Sequence, residues 1–356
     1  MKKICSALLA AVLGLCPIAL TSCGESSAAD AHVFYYTYSD TYITGVRSSL
    51  DRELEKAGVS YRDHDGNNSQ TTQTEQVQTA LTKGAKVLAV NIVTTGSDDA
   101  ASGILSMARE KNVPVIFFNR EVSDEIVNSY NECIFIGTDA AEAGKMQGDM
   151  IGKYLVENFE KVDLNGDGVI SYVQFMGEKG NNEAIFRTKY SVENANSVLK
   201  EAGRPPLRFY DASNADGYLP DRDGKWSAQA AGEFMTTILS SYNEQSGNMV
   251  ELVICNNDNM AEGAINALSA AGYNTGNERS VTIPVFGVDA TESALALISS
   301  GRMAGTIRQD SGAMARAIGL AAESALAGER LTERLGDYDL DDGADKIRIH
   351  YEEVRG

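Results

Sequence analysis

Histidine is nearly absent from this 356-residue chain, which has only His32, His64 and His350. So few imidazoles leave little for a histidine-based active site. Cations are scarce too: 31 Lys and Arg stand against 50 Asp and Glu, for a formal charge of −19. An acid excess of that size repels phosphate backbones and sets nucleic acid aside as a partner. Tryptophan occurs once, at Trp226, and cysteine five times. There is no repeat of solenoid period, no low-complexity tract and no Gly-rich phosphate loop. The rest is ordinary, with 43% hydrophobic and 23% charged residues. That composition excludes disorder as the main state, and the length fits roughly two domains.

Residues 1–22 read as a removable export signal. Lys2 and Lys3 open it, and residues 4–20 are uncharged and mostly apolar. Leu20-Thr21-Ser22-Cys23 resembles the lipobox of bacterial lipoproteins, in which the cysteine is diacylated and becomes the new N-terminus. Cleavage after Ser27-Ala28-Ala29 is the alternative. On the first reading, residues 23–30 are a small, polar tether lipidated at Cys23. The expected location is exported, periplasmic or extracytoplasmic, and anchored to a membrane. Cys5 and Cys16 leave with the signal. Cys133 and Cys255 remain inside apolar runs, where buried free thiols are the simpler reading than a disulfide.

Beyond residue 30, strand-like and helical patterns alternate. Runs dense in Val, Ile, Phe and Tyr lie at 32–38, 86–93, 113–119, 133–138, 170–176, 207–211, 251–256, 282–288 and 305–307. Amphipathic stretches fall between them, one with Ile43, Val46, Leu50 and Leu54 along a stripe that stops at Gly58. Repeated βαβ order predicts the α/β class: parallel sheets with helices on both faces, in two units.

Parallel sheets bind ligands beyond the carboxyl ends of their strands. Those ends read Tyr38-Ser39-Asp40, Phe118-Asn119-Arg120, Cys255-Asn256-Asn257-Asp258 and Val288-Asp289. Asn and Asp offer paired donors and acceptors that suit a ligand covered in hydroxyls. The plainer reading is helix N-caps, which favour the same residues. A second constellation runs from Asp163 to Ser171, with oxygens at positions 1, 3 and 5 (Asp163, Asn165, Asp167), Gly168 at 6, the Val169 carbonyl at 7 and the Ser171 hydroxyl at 9. That spacing matches a Ca²⁺ loop. Position 12 is Gln174 where an EF-hand has glutamate, so another carboxylate must come from elsewhere.

Across essentially the whole chain after the signal, the sequence resembles the periplasmic galactose/glucose-binding proteins of bacterial ABC sugar import and chemotaxis. The segments that carry the resemblance are Tyr36-Thr37-Tyr38-Ser39-Asp40-Thr41-Tyr42, Val115-Ile116-Phe117-Phe118-Asn119-Arg120-Glu121, Asp163 to Gly168, Asn256-Asn257-Asp258-Asn259-Met260 and Ile283-Pro284-Val285-Phe286-Gly287-Val288-Asp289-Ala290. The resemblance implies a two-lobed type I binding-protein fold with a three-strand hinge. Residues 31–137 plus 310–344 form the N-terminal lobe, and 138–309 plus 345–356 the C-terminal lobe. It implies hexose ligands at Asp40, Asn119, Arg187, Asn257 and Asp289, and aromatic walls at Tyr42 and Trp226. It places structural Ca²⁺ on Asp163, Asn165, Asp167, Val169, Ser171 and Glu251. A monomer that hands D-glucose or D-galactose to an ABC permease, with a chemoreceptor as a second partner, is the expected function.

Several positions depart from the family pattern. Asn181 stands where His is usual, Glu183 where Asp is, Gln309 where Asn is, Tyr42 where Phe is, and Ser171 where a longer Gln meets the metal. Asp216 to Lys225 resembles an insertion and offers Tyr218 as a second aromatic. Two competing readings remain. A glycoside-acting enzyme needs two carboxylates roughly 5–10 Å apart, and Asp40, Glu183 and Asp289 are the candidates. A binder of another monosaccharide, such as a pentose, needs only a reshaped pocket. A transcription regulator of the same fold is disfavoured by the export signal and the acidity.

Overall fold

The computed structural model describes residues 29–277 and 279–356 and shows two α/β units, each built on a 7-stranded sheet. The expected signal, the lipidation site Cys23 and residues 24–28 of the tether lie outside the described residues. The first unit runs through β1 (Ala31–Tyr35), α1 (Thr41–Lys56), β2 (Tyr61–Asp65), α2 (Gln70–Thr82), β3 (Val87–Val90), α3 (Asp99–Glu110), β4 (Val115–Phe118), α4 (Asp124–Asn128) and β5 (Cys133–Gly137). The second contains α5 (Ala140–Val162), β6 (Ser171–Glu178), α6 (Asn182–Glu201), β7 (Arg208–Phe209), β8 (Leu219–Asp221), α7 (Ala228–Leu239), β9 (Leu252–Cys255), α8 (Asp258–Ala270), β10 (Val285–Asp289), α9 (Glu292–Ser299) and β11 (Gly305–Gln309). The chain then re-enters the first unit as α10 (Ser311–Ala327), β12 (Asp339–Leu340) and β13 (Lys346–Arg348), and closes the second with β14 (Tyr351–Arg355).

Strand order is β12-β13-β5-β4-β3-β1-β2 in one sheet and β14-β11-β10-β9-β6-β7 in the other, with β8 beside β6. Pairing is parallel except at two edges, where β12 meets β13 and β14 meets β11. Each sheet is covered on both faces, as its apolar runs require. In β4, Ile116 and Phe118 join the core with α1 and α10, while Val115 and Phe117 join the core with α2 and α3. In the second sheet, Val173 and Phe175 pack toward α7 and α8, and Leu252, Ile254 and Phe286 pack toward α5 and α6. Cys133 and Cys255 are buried free thiols. No helix among the described residues is long and apolar enough to cross a membrane.

The chain passes between the units after Gly137, after Gln309 and between Arg348 and Tyr351. The last crossing comes later than the expected boundary at 344. The run Lys346-Ile347-Arg348-Ile349 alternates, and it buries Ile347 and Ile349 in the first core. Lys346 pairs with Glu121 at 2.9 Å and with Asp124 at 2.7 Å, and Arg348 pairs with Asp341 at 2.6 Å. Pairing of Ile347 with Ile136 therefore places β13 in the first sheet.

A glycine seam joins α5 to α6. On α5, Gly144, Gly148 and Gly152 recur every fourth residue and lie along one face. A Cβ at these positions would stand 2.6, 2.6 and 2.5 Å from Phe186 O, Asn194 Cβ and Val198 Cβ of α6. The glycines let the two helices approach with almost no side chain between them.

Candidate functional site

A cavity lies between the units, walled by residues at the strand ends of both sheets. The first unit contributes Tyr36, Asp40, Tyr42, Ile43, Asn119 and Arg120; the second contributes Asn181, Glu183, Arg187, Trp226, Asn257, Asp289 and Gln309. The seven residues that the resemblance assigns to sugar, and the three departing positions Asn181, Glu183 and Gln309 expected beside them, all line this one cavity.

On the first unit, Asp40 caps α1: its Oδ1 accepts from Ile43 N at 2.9 Å and its Oδ2 from Tyr36 Oη at 2.6 Å. The Arg120 guanidinium lies 4.1 Å over the Tyr36 ring and forms an ion pair across the cleft with Glu178. Tyr42 is buried, and its hydroxyl reaches Met314 Sδ on α10 at 3.7 Å. Asn119 sits at φ +61°, a conformation Asn tolerates better than most residues. Its Oδ1 accepts from Nδ2 of the fully buried Asn91 at 3.1 Å. Asn119 itself lines the cavity.

On the second unit, Asn181 caps α6, accepting from Ala184 N at 3.2 Å, and its Nδ2 donates across the cleft to Thr95 Oγ1 at 3.3 Å. Glu183, in the first turn of α6, and Arg187, one turn further, project from the same helix face. Glu183 Oε1 accepts from Glu121 N at 3.3 Å, while its Oε2 is buried with no partner among the described residues. Burial pushes the Glu183 carboxyl above its ordinary range. Arg187 donates from Nη1 to Asn256 O at 3.0 Å and lies 3.8 Å from Asp289 Oδ1; its Nε is buried and meets no acceptor among the described residues. Asp289 stands at φ +121° with Ala290 at +57°, at the end of β10 where the carboxylate lines the cavity. Burial, then the negative charges of Asp258 and Asp40, hold Asp289 well above the usual carboxylate range against the pull of Arg187.

Trp226 forms one wall. Its ring packs on Gly177, where a Cβ would sit 2.3 Å from ring atoms. Its carbonyl accepts from Asn257 Nδ2 at 3.3 Å and Asn259 Nδ2 at 3.1 Å, and its φ is +55°. The insertion supplies the brace: β8 pairs with β6, and Asp221 Oδ2 accepts from Ser227 N at 2.9 Å and Ser227 Oγ at 2.8 Å. Tyr218 packs behind Trp226 with Met176 and Ala184 and does not line the cavity. Asn257 caps α8 through Met260 N at 2.9 Å. Gln309 closes the floor, with its amide bonded to Arg187 and to Thr138. Sequence reasoning missed Tyr36 and Arg120 as wall residues, although both lie inside segments that carry the resemblance.

The Asp163 loop lies at the opposite end of the second sheet, between α5 and β6. Asp163 Oδ2 accepts from Gly168 N at 2.9 Å, Asn165 Oδ1 from Asp167 N at 2.8 Å, and Asp167 Oδ1 from Val169 N at 2.9 Å. Glu251, fully buried, reaches over the loop from another segment: Oε1 accepts from Leu164 N at 2.8 Å and Oε2 from Ser171 N at 2.8 Å and Ser171 Oγ at 3.0 Å. Asp163 Oδ1 is buried with no partner among the described residues. An orphaned carboxylate oxygen in a loop of Asp, Asn and Ser side chains is of the chemistry a hard cation takes, although among the described residues the carboxylates are not gathered into a metal cluster. Arg208 already holds one oxygen of Asp167, at 2.6 Å.

A family model described as the periplasmic binding protein domain matches residues 31–330. The D-galactose/methyl-galactoside binding periplasmic protein of Haemophilus influenzae is 36% identical over 321 residues, 89% of this chain and 88% of its own length. A putative rhizopine-binding protein of Rhizobium meliloti is 27% identical over 311 residues, 87% and 86% of the two chains. Among solved structures, an ABC transporter solute binding protein from Clostridium phytofermentans with bound beta-D-glucose superposes with a TM-score of 0.71 at 21% identity, covering 91% of this chain and 93% of that one.

Proposed function

The chain belongs to the periplasmic binding protein family, and from that premise we propose that it binds a hexose, D-galactose or D-glucose, and presents it to an ABC importer. One observation carries the proposal: Glu183 and Arg187, which hold a buried unmatched acceptor (Oε2) and a buried unmatched donor (Nε–H), both line a cavity walled by Trp226. A hydroxyl supplies both complements at once, and a pyranose carries a flat C–H face that suits an aromatic ring. Three carboxylates, Asp40, Glu183 and Asp289, against Arg120 and Arg187 disfavour a phosphorylated ligand. The relative of galactose-binding name supports the hexose.

Binding then proceeds by closure. The sugar meets residues of both units, so it favours the form in which they are brought together, and the importer reads that form. Calorimetric titration with D-galactose, D-glucose, D-ribose and myo-inositol, alongside Trp226 emission, tests the proposal. Saturable heat and an emission change with either hexose are expected; heat with neither overturns the hexose reading, and heat with ribose alone makes the protein a pentose binder. The loop residues Asp163, Asn165, Asp167, Val169, Ser171 and Glu251 are proposed to hold structural Ca²⁺. A cation bound to the native state must stabilise it. EGTA added to a calcium-loaded sample is therefore expected to lower Tm, and an unmoved Tm removes the assignment. Lipid attachment at Cys23 completes the proposal and is read from the mass of the membrane-extracted protein.

A further inference from the structure

Arg187 is bonded directly to two of the crossovers between the two units and, through them, linked to the third. Thr138 follows β5 at the first crossover, Gln309 ends β11 at the second, and Tyr351 begins β14 at the third. Arg187 Nη2 donates to Gln309 Oε1 at 3.0 Å and to Tyr351 Oη at 3.1 Å. Gln309 Nε2 donates to Thr138 Oγ1 at 3.2 Å, and the Thr138 and Tyr351 hydroxyls share a hydrogen bond of 2.7 Å. These contacts close a ring in which each crossover holds one place and Arg187 the remaining one. Every member is buried, with none more than 5% exposed.

We propose that Thr138 and Tyr351 are positioning residues that aim Arg187 at the ligand and tie its direction to the bend between the units. A guanidinium is planar, so fixing its Nη atoms fixes where Nε–H points. The ring holds Nη2, the Asn256 carbonyl holds Nη1, and Nε is the nitrogen left without a partner on a residue that lines the cavity. Rotation of one unit against the other turns the crossovers, and the ring passes that turn to Arg187, the charged group that meets both hinge and cavity. Conversely, a ligand that engages Nε–H favours the bend in which the ring is closed. Gln309 has the reach to span Arg187 and Thr138 together, which gives the longer side chain at this position a purpose. The inference rests on the reading of the cavity as a sugar site, but part of its test needs no sugar.

The full-length protein is compared with Thr138→Val, which keeps the shape and removes the hydroxyl, Thr138→Ser, which keeps the hydroxyl, Tyr351→Phe, and the double variant Thr138→Val/Tyr351→Phe. The Arg187 Cζ lies 5.9 Å from the Trp226 ring centroid, so the lone tryptophan reports the guanidinium before any sugar is added. The expected results are a shifted sugar-free emission in Thr138→Val and Tyr351→Phe and a wild-type spectrum in Thr138→Ser. With D-galactose or D-glucose, each of the first two loses about tenfold in affinity, mainly through a faster off-rate, as for a lost hydrogen bond to a charged group. The double variant is expected to lose little more than either single, because both open the same ring. The proposal is overturned by Thr138→Ser losing as much as Thr138→Val, by affinities within twofold of wild type, by fully additive losses, or by losses that simply follow Tm. If wild type binds neither hexose, the hexose reading fails on its own. The ring then stands or falls on the sugar-free emission, and an unchanged spectrum in Thr138→Val and Tyr351→Phe overturns it.

Discussion

Asp289 is held in an unfavourable setting from two directions. Its backbone is at φ +121°, and its carboxylate is buried near Asp258 and Asp40. Asn is among the residues that accept positive φ most readily. Asp289→Asn is therefore expected to fold, to gain thermal stability in the sugar-free state by removing a desolvated charge, and to lose hexose affinity by about tenfold or more. Calorimetry and thermal unfolding together check this; unchanged affinity with a lower Tm would contradict it. At this scale the sequence was legible where a strand end met Asn or Asp, as at Asp40, Asn119, Asn257 and Asp289. It was silent on Asn91 and Tyr351, because an asparagine inside the apolar run 86–93 and a tyrosine in a short edge strand acquire their roles only from what the fold sets beside them. The helix-cap reading and the ligand reading also proved compatible: Asp40, Asn181 and Asn257 cap helices and line the cavity as well.

The elements most readable in sequence were those with dense apolar runs, such as β4 and β5, whose every residue is buried. Others, β2, α2 and α9 among them, were not. The edge strand β2, Tyr-Arg-Asp-His-Asp, has no apolar alternation; α2 is rich in Gln and Thr and buries only Gln73, Val77, Ala80 and Leu81; α9 is short. β2 also carries an acid pair. Asp63 pairs in register with Val33 and faces Asp51 of α1, and burial, then Asp51, push its carboxyl up to about 7. A carboxyl raised on folding holds its proton longer in the native state, so its share of stability falls as pH rises from about 4 through about 7. Asp63→Asn is expected to flatten that part of the Tm–pH curve relative to wild type; parallel curves would refute the assignment. The inserted strand β8 makes its own prediction. Asp221→Ala frees Ser227 and unseats Trp226, and a drop in hexose affinity of about fivefold, with a shifted tryptophan emission, is expected for a lost capping contact of about 1 kcal/mol. Unaltered emission and affinity would show that Trp226 is held without the brace.

Across the whole molecule, the two units meet through a small set of polar contacts: Arg120 with Glu178, Asn181 with Thr95, Glu121 with Glu183 and Asn68 with Asp223. Arg120 is buried and Glu178 partly exposed, so their pair is the contact best placed to hold the closed form. Glu178→Gln is expected to speed sugar release about tenfold, a change of about 1.4 kcal/mol, with little effect on association; stopped-flow Trp226 fluorescence decides, and an unchanged off-rate refutes it. The two-unit plan was legible from repeated βαβ order, whereas the last boundary was not, because a strand as short as β13 is fixed by its partners rather than its pattern. The seam of Gly144, Gly148 and Gly152 against α6 has a consequence for descent. Every single-base change that replaces a glycine codon's residue installs a larger side chain, and here each would push on the helix that carries Asn181, Glu183 and Arg187. No nearby genetic step can shift that helix gently. A lineage changing its ligand must exchange the residues that look into the cavity, one letter at a time, against a frame that inheritance leaves in place.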